Sequence, residues 1–87
     1  MRTLKNESFL AREVVFEPGN ATRYHLVLSF INKDTLVVSD LNEKKAVILD
    51  PEFPSVESYI HTFQKYDYSL SDARGMAEFI VNVIQAQ

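Results

Sequence analysis

The change of hydrophobic period at Asp50-Pro51-Glu52-Phe53-Pro54 constrains this chain more than any other feature. Ahead of it apolar and polar residues alternate between turn signals, as in strands. Behind it apolar residues recur at i, i+3, i+4 and i+7, as on a helix face. Neither proline in this stretch can donate to a β-ladder, so the sheet must end there. A chain of 87 residues closes one modest core. The expectation is a single α+β domain spanning residues 1–87, with a four-stranded antiparallel β-meander followed by two α-helices packed on one face, β-β-β-β-α-α.

The strands are expected over residues 9–16, 22–31, 35–39 and 44–49. The turns are Glu17-Pro18-Gly19-Asn20, Asn32-Lys33-Asp34 and Asp40-Leu41-Asn42-Glu43. Ser55 offers an N-cap oxygen to a first helix whose stripe is Val56, Tyr59, Ile60 and Phe63. Tyr66-Asp67-Tyr68 ends that helix. Ser69 with Asp72 then resembles a capping box, with aspartate in place of glutamate, ahead of Ala73, Met76, Ala77, Ile80, Val83 and Ile84.

If the strands are joined as two-residue hairpins, the face bearing Tyr24, Leu26, Leu28 and Phe30 also bears Phe9, Ala11, Val15, Val37, Ala46 and Ile48, and lies under the helices. The opposite face then carries Leu10, Val14, Phe16, Val27, Leu36, Val38, Val47 and Leu49, among Arg12, Arg23, His25, Asp40 and Lys45. Two short helices cover one side of such a sheet, so an apolar second side fits a protein partner or a homodimer contact. Arg12, Val14, Phe16, Arg23, His25 and Val27 are the expected interface residues. A β-bulge that slips one register would instead move part of this set beneath the helices, or the N-terminal arm would fold across it.

No constellation for catalysis is visible. Without cysteine there is no thiol nucleophile, disulfide or thiolate metal site, and neither His25 nor His61 has ligand-spaced neighbours in sequence. His25 is expected beside Arg12 and opposite Asp40, in a surface charge group. The two glycines, Gly19 and Gly75, form no phosphate loop. Phe79 and Val81 widen the apolar arc of the second helix towards either the core or a partner. The chain is therefore expected to be a non-enzymatic protein-interaction module with no cofactor, no metal and no membrane span.

Absence of cysteine favours a reducing cytoplasm. A formal net charge of −3 makes nucleic acid a disfavoured partner. Two alternatives accompany this reading. One is a small acidic inhibitor or regulator of a host protein, of the kind a phage or mobile element makes. The other is a nucleic-acid-binding accessory protein using Arg2, Lys5, Arg12 and Arg23.

Overall fold

The computed structural model describes residues 10–19 and 21–87. Strands β1 (Leu10–Phe16), β2 (Tyr24–Asn32), β3 (Thr35–Asp40) and β4 (Lys45–Leu49) form one antiparallel sheet in the order β1-β2-β3-β4. Helices α1 (Val56–Lys65) and α2 (Leu70–Gln85) follow. The α+β meander-plus-two-helix architecture is the one the change of period requires, and element ends move by only one or two residues. Expected residue Phe9 lies outside the described residues.

The helices start where their caps predict. The Ser55 hydroxyl accepts from the Ser58 N–H at 3.2 Å and the Ser69 hydroxyl from the Asp72 N–H at 3.1 Å. The core between the layers joins Leu26, Leu28, Leu36, Val38, Val47 and Leu49 of the sheet to Tyr59, Phe63, Met76, Ala77 and Ile80 of the helices. Val81 is buried, and the Phe79 ring stacks on Phe16 at 3.9 Å, so both residues of the widened arc serve internal packing.

The register differs from the two-residue-hairpin expectation at two places. The link from Phe16 to Tyr24 spans residues 17–23, an odd number, and Phe16 pairs with Tyr24. Asn32 and Thr35 close a two-residue turn as expected, but a bulge between Phe30 and Asn32 then pairs Phe30 with Leu36. Side chains alternate faces along a strand, so each one-residue slip turns a whole strand over relative to its neighbour. Val14, Phe16, Leu36, Val38, Asp40, Lys45, Val47 and Leu49 consequently share the helix-covered face with Tyr24, Leu26 and Leu28. Ala11, Val15, Val37, Ala46 and Ile48, expected beneath the helices, belong to the other face. The relative register of β3 and β4 is as expected, since both turned over together.

A polar clasp fixes the helix layer on one end of the sheet. Helix α1 ends in a Schellman arrangement, in which the Asp67 N–H donates to Gln64 O at 3.1 Å and the Tyr68 N–H to Phe63 O at 3.3 Å. Asp67 takes the left-handed conformation this requires, with φ 70°, where aspartate is better tolerated than most side chains. The turn sets the Tyr68 ring edge-on against Phe63 and beneath the Lys45 ammonium, which lies 4.1 Å from the ring centroid. From there the Tyr68 hydroxyl donates to Asp40 Oδ2 at 2.6 Å.

Asp40 is the one buried charged residue among those described. Its other oxygen accepts the backbone N–H groups of Asn42 at 3.0 Å and Glu43 at 3.1 Å, which shapes the β3–β4 turn. Three donors offset the desolvation of this carboxylate. A second bond of the same kind crosses the layers where the Tyr24 hydroxyl donates to Asp72 in the first turn of α2.

Burial, the bond to Asp40, and the nearby carboxylates of Asp40, Glu43 and Asp72 together push the Tyr68 phenol far above the ordinary tyrosine value of 10.0. Tyr59, whose hydroxyl donates to Asp50 O at 2.5 Å, is pushed up to about 12, first by burial and then by the Asp50 carboxylate. A phenol with a raised folded-state value contributes stability that is fully present below pH 10.0, where an unfolded tyrosine begins to ionise, and is lost as pH rises towards the folded value.

Two outcomes follow for equilibrium unfolding in urea. Stability should be flat from neutral pH to near 10 and decline above it, with Tyr68→Phe shallowing that decline. An unchanged alkaline slope in this variant would remove Tyr68 from the account. At neutral pH, Asp40→Ala should cost about 2 to 3 kcal/mol, because it strands one hydroxyl and two N–H donors. A loss under about 0.5 kcal/mol, the level of an ordinary surface substitution, would contradict the clasp.

Candidate functional site

Among the described residues the helices cover one side of the sheet and no element covers the other; the N-terminal arm, the alternative cover, lies outside them. The ladder arranges this open face in rows across the strands. Ala11, Ser29, Val37 and Ile48 form one row, Glu13, Val27, Ser39 and Ala46 the next, and Val15 with His25 a third. Val15 and Ile48 are 49% and 59% exposed, which are high values for apolar side chains on a sheet. Val27, Ser29, Val37 and Ser39 at the centre are half-buried. Small residues dominate the middle, so a second layer can approach it closely.

Glu13 and His25 are the only ionisable side chains in these rows. They lie diagonally across the β1–β2 ladder, and the imidazole Nε2–H donates to Glu13 Oε2. Charged groups otherwise sit at the rim. Glu17 and Arg23 line a shallow hollow with Val15 beyond the ends of β1 and β2, and Lys44 lines another with Ser39, Leu41 and Ala46. Lys44 occupies the β3–β4 turn with φ 58°.

The six expected interface residues do not share this face. His25 and Val27 lie on it. Val14 and Phe16 are on the covered side, Phe16 stacked between Phe79 and Tyr24. Arg12 pairs with Leu28 and so takes the covered-side register, although it is exposed on the edge strand. Arg23 is exposed just ahead of β2, where its carbonyl accepts the Asn42 side-chain amide at 3.2 Å. The expected group of His25, Asp40 and Arg12 does not form, because Asp40 is drawn under the helices and Glu13 takes its place. Ala11, Glu13, Val15, Val37, Ala46 and Ile48 are the members that two-residue hairpins concealed. The odd length of the β1–β2 link was the signal that could have exposed those on β1.

A polar cleft of about 230 Å³ lies at the clasp, where the β3–β4 turn meets the α1–α2 link. Of its carboxylates, Asp40 and Asp72 accept tyrosine hydroxyls, and its Lys45 ammonium donates to Tyr66 O at 2.5 Å. These groups are occupied in holding the fold. No cluster of three or more histidine, aspartate or glutamate residues able to hold a metal ion occurs among the described residues. No helix among them is long and apolar enough to cross a membrane. Arg2 and Lys5, part of the expected basic side, lie outside the described residues, and Arg12 and Arg23 are separated by the register just described. No family model, curated protein or solved structure matches the chain.

Alanine substitutions separate the two sides of the sheet. Phe16→Ala should cost about 2 to 4 kcal/mol in urea unfolding, as a packed aromatic does, whereas Val27→Ala should cost under about 1 kcal/mol. The reverse order would mean that the register is the two-residue-hairpin one.

Proposed function

We propose that this protein is a non-enzymatic interaction module that meets a second copy of itself through the open sheet face. The observation that carries this reading is the chemistry of that face. Eight of the ten residues in its rows are uncharged and the remaining two pair with each other, in a chain that is 24% charged and carries a net −3. Depletion of charge at the centre with charge at the rim is the pattern of a contact surface. A two-fold contact sets the same patch against itself, so the patch must not repel its own image. A nearly uncharged face satisfies that condition, while the acidic remainder of the surface does not.

The size of the face sets the strength of the contact. Strands lie about 4.8 Å apart and rise about 3.4 Å per residue, so four strands of five to nine residues offer roughly 400 to 500 Å². Two such faces bury roughly 900 Å², below the roughly 1,600 Å² of a standard stable interface. The dimer is therefore reversible and dissociates on dilution.

Sedimentation velocity over a concentration series is the test. Dimer should accumulate as concentration rises and should persist in high salt, since the central contacts are apolar. Val37→Lys, folded by circular dichroism, should be monomeric throughout. A wild-type protein that stays monomeric into the millimolar range defeats the proposal.

A further inference from the structure

Resting on that reading of the open face, we infer that self-association is coupled to proton uptake at His25, so that the dimer tightens as the solution becomes mildly acidic. Glu13 and His25 are half-exposed, at 61% and 34% of their side-chain surface, and lie within the face that the second copy covers. Imidazole is the one side-chain type present whose ordinary titration falls between about pH 5 and 8. When it is neutral, the pair carries the glutamate's single negative charge. Each copy then brings an uncompensated carboxylate out of water and towards its image, which opposes association. When the imidazole is protonated, the pair sums to zero and its bond is charge-assisted, so covering it costs less.

The surroundings of His25 do not mask this effect. From β1 it faces Glu13 and pairs with Val15. From the turn after β3 it meets the uncharged Leu41, whose N–H donates to His25 O at 3.0 Å. Two cations stand at this end of the sheet and hold their charge across this pH range: Arg23, two residues back beside Glu17, and Lys44, in the β3–β4 turn whose Leu41 meets His25. The other histidine, His61, is exposed on α1, away from the sheet face. It serves as an internal control.

Dissociation constants measured by sedimentation at pH 5.5 and 8.5, at one ionic strength, test the coupling. Wild type should associate at least about tenfold more tightly at pH 5.5, and His61→Gln should behave like wild type. Glu13→Gln makes the sharpest test because it should reverse the dependence. Its face is uncharged at pH 8.5 but carries an unpaired imidazolium at pH 5.5, so it should associate more tightly at the higher pH. His25→Gln, fixed at one negative charge, should be weak at both. Association that is equal at both pH values, or a Glu13→Gln protein that keeps the wild-type direction, overturns the coupling and leaves the self-association reading standing. A wild-type monomer at both pH values overturns the two together.

Discussion

The hydrogen bond from Tyr68 to Asp40 is the constraint on which the arrangement of layers depends. Asp40 ends β3, and its carboxylate is buried where an unpartnered charge is not tolerated. Its partners therefore have to be in place together: the two N–H groups of the following turn and one hydroxyl from the helix layer. Only the Schellman turn after α1 delivers Tyr68 there, and the same short link places Ser69 to cap α2. The Tyr24 to Asp72 bond is the same device with the donor on the sheet and the acceptor on the helix. Apolar packing holds the two layers together without direction. The two tyrosine–aspartate bonds specify where along the sheet the helices sit.

This placement decides which face of the sheet stays open. Helices anchored through Asp40 must cover the side on which Asp40 lies, together with Leu36, Val38, Val47 and Leu49. The other side receives whatever alternates with those residues, and here that is valine, isoleucine, alanine and serine around one Glu–His pair. The same alternation that fills the core therefore composes the outer surface. The proposed self-association and its dependence on proton uptake are both read from that composition.

Much of the fold was legible in the chain because local chemistry decides it. Two prolines end the sheet, Ser55 and Ser69 start the helices, and the apolar stripe of α2 is unbroken from Ala73 to Ile84. Long-range register was not legible. It turns on whether the Phe16–Tyr24 link has an odd or even number of residues and on one bulge at Ile31, and a single residue at either place inverts a strand. Of the expected interface, His25 and Val27 face outward because β2 was placed correctly relative to its own alternation, while Val14 and Phe16 were carried inward by the β1 link. The partner of Asp40 was hidden for a different reason, since nothing in sequence joins position 40 to position 68 before the helix turn is built.

The central claim is that two copies meet through the open face of the sheet, and amide chemical shifts followed by NMR on dilution from millimolar to micromolar concentration test it most directly. The account predicts concentration-dependent shifts confined to Glu13, Val15, His25, Val27, Val37, Ile48 and their neighbours in the rows, with Asp40, Tyr68 and Phe79 unmoved. Spectra that do not change with concentration, or changes that gather on the helices, would contradict it.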